Sequence, residues 1–359
     1  MLFHLASIFT SAETLFSAAT CDLPAPVVYT NEEVYEPHLE KLDSSAYAAR
    51  IAKFNPIILG RLPRDIIVCG GEFRVLLFKG HLALETVPEG LRGDEEWLAG
   101  AVSSAIGPID MDAECLLLTR FGHGTWGHWL GEALPTAAIV ERLYPGRFRY
   151  AVPHHYSSYG AIMRESLRAY GIEASRIVSV SSTDSVRFAN AWIVTPIWSD
   201  SAPHPAALDV MRGAVRLAPY HQEWGKVALM RRDSPNRGIT NGAEVEHILR
   251  ADGYTITDAA TLPFVDQIRM FQTANQIFAV LGSGLTGLIY SPKHVRVLTV
   301  RPVMWRDRFF YALAQHRHAK WAEVCGSSSW NKDMNTFLRD APFDVPISDL
   351  MLAREALAA

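Results

Sequence analysis

From residue 226 to residue 300 the chain repeats one pattern, a short apolar run followed by an amphipathic stretch. The apolar runs at 226–230, 254–257, 276–281 and 295–300 are rich in Val, Ile, Leu and Thr and too short for buried helices, so they predict strands. Between them, 242–249, 264–274 and 285–290 predict helices, and 305–316 predicts another. Parallel strands need a crossover, usually a helix, whereas antiparallel strands can be joined by a tight turn. Strict alternation therefore predicts a parallel sheet covered by helices.

A second alternation precedes the first. Strands are expected at 114–119, 148–152, 177–180 and 191–195, with helices at 126–143, closed by Pro145-Gly146, and at 159–170, closed by Gly171. Pro203 and Pro205 open a further helix that Pro219 ends. At 359 residues the chain is too long for one core and suits two domains. The expected division is a first Rossmann-like domain over 61–217, a linker near 217–225, and a second over 218–325. Residues 1–60 have weak periodicity and several prolines and read as an extension on the first domain, and 66–87 read as short strands. Residues 326–359 read as a tail with helical patches at 334–338 and 350–357, with a return to the first domain as one route.

Composition excludes several classes. With 34 Lys+Arg against 38 Asp+Glu, the formal charge of −4 gives no broad basic field for nucleic acid. The apolar N-terminus lacks the basic start of a signal peptide and is interrupted by Glu13. No uncharged apolar window of about 18 residues is present, so no transmembrane helix is expected, while peripheral membrane contact stays compatible. The four cysteines, Cys21, Cys69, Cys115 and Cys325, form no CxxC, and a reduced, cytoplasmic setting without structural disulfides follows.

Three motifs bear on chemistry. Leu281-Gly282-Ser283-Gly284-Leu285-Thr286-Gly287 follows a strand and opens a helix, where small residues and helix N–H groups suit a pyrophosphate. The run is formally G-x-G-x-x-G, but the next strand ends in Arg301-Pro302 rather than the acidic residue that holds a ribose. An arginine there suits a 2′-phosphate, which keeps an NADP-dependent oxidoreductase as one alternative. Arg231, Arg232 and Arg237 follow the 226–230 strand, on the sheet edge that carries the glycine turn. Guanidinium groups there can grip phosphate oxygens bidentately, with Arg231 and Arg237 as the contacts and Arg232 pointing outward. In the third motif His128 and Glu132 share a helix face at i, i+4 and could form an acid/base pair. A packed helix start with a satisfied core histidine would give the same spacing. His154-His155 and the pair His316, His318 lack the partners of a familiar metal site, and none is expected.

Two of these segments resemble glycosyltransferase family 61. The family block N-Y-x-H-W-L-x-E-x-L-P is similar to Thr125-Trp126-Gly127-His128-Trp129-Leu130-Gly131-Glu132-Ala133-Leu134-Pro135. The second resemblance runs from Leu229-Met230-Arg231-Arg232 through Arg237, Ile239, Asn241 and Glu244 to Gly282-Ser283-Gly284-Leu285-Thr286, ending near Val300. It implies a GT-B architecture of two doubly wound Rossmann-like domains facing across a cleft. It also implies inverting, metal-independent transfer from a sugar nucleotide, UDP-sugars foremost, to a glycan or glycolipid hydroxyl in surface polysaccharide synthesis. Arg231, Arg237, Gly282, Ser283, Gly284, Leu285 and Thr286 would line the donor diphosphate. His128 and Glu132 would face the acceptor, His128 as base, with Asp112 and Asp200 as further candidates. The family turn usually reads H-G-A-G-L-T-N, whereas Leu281 and Gly287 replace its polar ends here. Those departures leave room for an inactive nucleotide- or glycan-binding homologue. Oligomeric state is open.

Overall fold

The structure is a computed structural model that describes the chain except residues 1, 4, 30–49, 65, 70–73, 78–80, 84–103, 110–112, 119–123, 155–157, 182, 200–201, 217–222, 232–236, 303–304, 306, 329, 332–335, 338–340 and 359. The chain forms two compact units, residues 1–20 with 53–218 and residues 21–52 with 219–359.

The second unit is built on five parallel strands. Across the sheet they run Thr255–Thr257, Gly225–Leu229, Ala274–Val280, Arg296–Pro302 and Lys320–Ser328. Numbered along the chain, this order is 2-1-3-4-5, one of the two common doubly wound arrangements. Val27–Tyr29 pairs parallel to the last strand, and Phe343–Asp344 pairs antiparallel to it. Right-handed crossovers put the helix between strands 1 and 2 on one face and the helices of the later connections on the other. Accordingly Ala228, Met230, Phe278, Val280, Leu298 and Val300 pack with Val245, Leu249, Leu350 and Leu357 from helices Gly242–Ala251 and Ile347–Ala358. The alternate residues Val227, Leu229, Ile277, Ala279 and Val297 are buried as well. Burial on both faces is why these strands read as continuous apolar runs.

The first unit has four parallel strands in the order Ile177–Val180, Arg149–Pro153, Cys115–Leu117 and Ala191–Val194, then Ile57–Arg61 antiparallel to Ala191–Val194 and Ser11–Phe16 antiparallel to Ile57–Arg61. In chain order the parallel part is 3-2-1-4, as in half of a dinucleotide-binding fold. Three helices lie on it: the one from Trp126 to Leu143, Ser158–Ala169 and Pro205–Ala214. Buried Glu141 of the first helix accepts a hydrogen bond from Tyr150 Oη at 2.8 Å and two from Arg176 at 2.8 and 2.6 Å. Burial alone would raise the Glu141 pKa, but the bonds from Arg176, Tyr150 and the Gly146 N–H outweigh it and hold the carboxyl below the usual range.

The expectation of a doubly wound first domain is corrected. Its other face packs on a second, mixed sheet of Leu2–Phe3, His81–Ala83, Arg74–Leu77, Ile66–Cys69, Ser185–Phe188 and Ile106–Ile109. Ile66, Val68, Val186 and Phe188 of that sheet meet Cys115, Leu117, Ala151 and Ile193 of the first. The cause is the connection 181–190, which is too short for a crossover helix and crosses as the strand Ser185–Phe188 instead.

The termini differ from expectation too. Residues 1–60 are not one extension, since Ser11–Phe16 and Ile57–Arg61 complete the first sheet while Val27–Tyr29 joins the second unit. The tail belongs to the second unit, where Ile347–Ala358 packs on Lys320–Ser328. Within the stretch expected as helix at 334–338, Thr336–Phe337 pairs with Trp330–Asn331 as a ribbon. No helix among the described residues is long and apolar enough to cross a membrane.

Candidate functional site

In the second unit strands Gly225–Leu229 and Ala274–Val280 are neighbours, with Leu229 opposite Ala279. Their connections leave toward opposite edges of the sheet, which makes the gap beyond their carboxyl ends a topological switch point, the place where ligands bind in open α/β sheets. Arg231 leaves from the first strand and Gly282 from the second. Arg237 follows Arg231 by six residues in the chain. A Cβ on Gly282 would stand 3.5 Å from Arg237 Nη2 and 3.6 Å from Arg231 Nη1, so both guanidinium groups converge on the glycine turn. Gly282 has extended backbone (φ 161°), so glycine serves close approach there and not an unusual dihedral.

Arg237 is tightly held. It is 7% exposed, its Nη1 donates to the Leu281 carbonyl at 3.3 Å, and its guanidinium carbon lies 3.7 Å from the centre of the Trp305 ring. The residues after it are pinned to the C-terminal segment. Phe343 N–H donates to Gly238 O, Thr240 N–H donates to Phe343 O, and the Asn241 amide exchanges two hydrogen bonds with the backbone of Val345, at 2.9 and 3.0 Å. Trp305 and this pinning were not found from sequence. In the sequence Asn241 stands out only through the resemblance.

The rest of the turn divides. Ser283 is half-buried and Gly284 exposed, with no atom within 4 Å of where a Gly284 Cβ would stand. The side chains of Leu285 and Thr286 are fully buried, and the Leu285 N–H donates to the Gly282 carbonyl at 2.9 Å. These two therefore shape the turn from behind. Leu281, where the family has histidine, is also fully buried. At Gly287, where the family has asparagine, a Cβ would stand 2.1 Å from the Phe271 ring. Phe271 occupies the space of the missing side chain.

The oxidoreductase alternative loses its anchor. Arg301 is fully buried and its Nε donates to Glu323 at 2.6 Å, so the guanidinium is spent in the core. A cavity of about 220 Å³ lined by Lys226, Asp252, Tyr254, Arg296 and Arg354 lies at the opposite, N-terminal edge of the sheet. Lys226 and Arg354 there approach Asp252 at 3.7 and 3.9 Å.

In the first unit the switch point lies between Cys115–Leu117 and Ala191–Val194. The chain after the former reaches the helix that begins at Trp126, and the chain after the latter reaches Trp198. His128 Nδ1 and Glu132 Oε1 are directly hydrogen-bonded, with His128 39% and Glu132 14% exposed. The helix has a π turn over Trp129–Ala133, a feature often found at functional sites. Trp129 is fully buried and its indole N–H donates to Ser166 Oγ at 2.9 Å, which ties this helix to the neighbouring helix Ser158–Ala169. The His128 ring stacks on Trp198 with centroids 6.2 Å apart and planes at 28°. Sequence reasoning missed Trp198, for which the only signal was an aromatic residue just past a strand end. Asp112, Asp200, Arg232 and His155 lie outside the described residues.

Among the described residues no group of three His, Cys, Asp or Glu side chains is placed to hold a metal ion. No curated protein sequence matches the chain. The glycosyltransferase 61 family model matches residues 126–298, from the first residue of the His128 helix to the strand after the glycine turn. Over that segment the chain is similar to glycosyltransferase family 61.

Proposed function

We propose that this glycosyltransferase moves a sugar from a nucleoside diphosphate, with UDP-sugars favoured, to a hydroxyl of a glycan or glycolipid, inverting the anomeric carbon without a metal. The observation that carries the reading is the convergence of Arg231 and Arg237 on Gly282 at a sheet switch point. A diphosphate leaving group gains negative charge as its bond to the sugar breaks, and two fixed guanidinium groups can stabilise that charge where other enzymes use a cation. In the first unit His128 takes the acceptor proton as the hydroxyl oxygen bonds to the anomeric carbon, and the electron pair of the broken bond leaves with the diphosphate. Glu132 orients the imidazole and stabilises its charged form. The second unit then acts as the donor half and the first as the acceptor half. The family resemblance supports a role in surface polysaccharide synthesis on the cytoplasmic side, with peripheral membrane contact at the acceptor.

Thermal-shift titration with UDP, GDP, CMP and NADP tests the donor class. Stabilisation by one nucleoside diphosphate, with slow hydrolysis of its sugar form that survives EDTA, is the expected result. Selective stabilisation by NADP would overturn the donor assignment, and activity lost to EDTA and restored by Mg²⁺ would overturn the metal-free step.

A further inference from the structure

Pro135 lies inside the helix that carries His128, and its effect on that helix is specific. In an α-helix the N–H of residue 135 would bond to the carbonyl of Gly131, but proline has no N–H. The helix adjusts by the π turn, in which the Leu134 N–H bonds to the Trp129 carbonyl. The Gly131 carbonyl is taken instead by the indole N–H of Trp198, at 2.9 Å. The face of that same indole stacks on the His128 ring. Trp198 is itself held from below. It pairs with Pro203 in the Trp198–Ser199/Ala202–Pro203 ribbon, and the His204 N–H donates to the neighbouring Ile197 carbonyl at 2.8 Å.

We propose that Trp198 is the positioning residue of the His128–Glu132 pair, an inference that rests on the reading of His128 as the acceptor base. One edge of the indole locks the π turn that carries Glu132, and its face sets the plane of the imidazole. Pro135 creates the need for the first contact by leaving the Gly131 carbonyl without its helical partner. The pair is thereby fixed by two elements that leave neighbouring strands, and not by the helix alone.

Trp198→Ala, Trp198→Phe and Trp198→Phe/Pro135→Ala, each in the full chain, test this. Trp198→Ala should lower kcat by roughly 10- to 100-fold, as a misplaced base does, with donor KM within about twofold because donor binding is untouched. Its His128 imidazole NMR signals should move downfield as the ring current of the stacked indole is lost. Trp198→Phe keeps a ring but no N–H, so its unfolding midpoint should fall, and Pro135→Ala should restore the midpoint by supplying an N–H to Gly131. A folded Trp198→Ala chain with kcat within about threefold of the parent, or with unmoved His128 signals, overturns the proposal. If the parent chain transfers no sugar, the reading of the site fails, and the His128 signals of the variants still decide the role of Trp198.

Discussion

Arg237 holds a left-handed backbone (φ 58°), which costs a non-glycine residue about 1–2 kcal/mol. Nothing in the local sequence demands it, and the hydrogen bonds of residues 238–241 to the C-terminal segment impose it. Strain kept in place by surrounding contacts is typical of residues held for a task, here the aim of a guanidinium between Trp305 and the glycine turn. Arg231 has an ordinary backbone and is half-buried, so it offers the cleaner test. Arg231→Ala should raise the dissociation constant of the nucleoside diphosphate by roughly 10- to 100-fold, the worth of one charged contact of about 1.5–3 kcal/mol. Calorimetric titration measures it, and an unchanged constant would remove Arg231 from the site. Gly287 makes the opposite case, where a departure from the family is packing. Gly287→Asn should destabilise the chain by about 1–3 kcal/mol through the clash with Phe271. Combined with Phe271→Ala in the same chain it should cost less than the sum of the two single losses, read as urea midpoints.

At the scale of elements, helix Pro205–Ala214 shows how one side chain joins two segments. His204 caps it, with Nδ1 accepting from the Ala206 N–H at 3.2 Å, while Nε2 lies 3.0 Å from the Ser17 carbonyl. Accepting at one nitrogen and donating at the other requires a neutral ring protonated at Nε2. Burial lowers the His204 pKa from the ordinary 6.5, against a smaller upward pull from the Ser17 carbonyl. Above pH 6.5 its contribution to stability is complete. It is lost as pH falls from there through the folded-state value, because the unfolded chain then binds the proton more readily. His204→Ala should cost about 0.5–2 kcal/mol at neutral pH. The gap to the parent should narrow by pH 5.5 or so, as read from urea unfolding at the two pH values, and a constant gap would refute the tautomer. Most elements were legible because their signals are local. The helix over 126–143 and the strand at 177–180 lie where apolar period and stop residues put them. The strand Lys320–Ser328 was not legible, because Glu323 and Gly326 interrupt its apolar run. Glu323 is tolerated in the core only through Arg301, a partner that the fold alone supplies. The π turn was hidden for the same reason. Pro135 is plain in the sequence, but the indole that replaces its hydrogen bond comes from residue 198.

For the whole molecule, neither the matched segment nor a cut at the sequence-predicted linker is a folding unit. The family match starts after strands Ser11–Phe16 and Ile57–Arg61 and stops before Lys320–Ser328, all of which complete a sheet. Residues 21–52 cannot be assigned by local pattern either, because pairing between distant strands leaves no periodic trace. Yet Val27, Val28 and Tyr29 pair with Ala322, Glu323 and Val324, and the Tyr311 hydroxyl donates to the Pro24 carbonyl at 2.6 Å. A fragment of residues 219–359 would therefore expose the edge of its Lys320–Ser328 strand along these residues. An uncovered apolar edge is a template for association. That fragment should elute from a sizing column as oligomers and melt below the full chain. Fusing residues 21–29 to it through a flexible linker should return it toward a monomer, since the linker costs only a loop-closure entropy that grows slowly with length. A fragment that is monomeric and melts with the full chain would show that the second unit does not need the strand it takes from the N-terminal region.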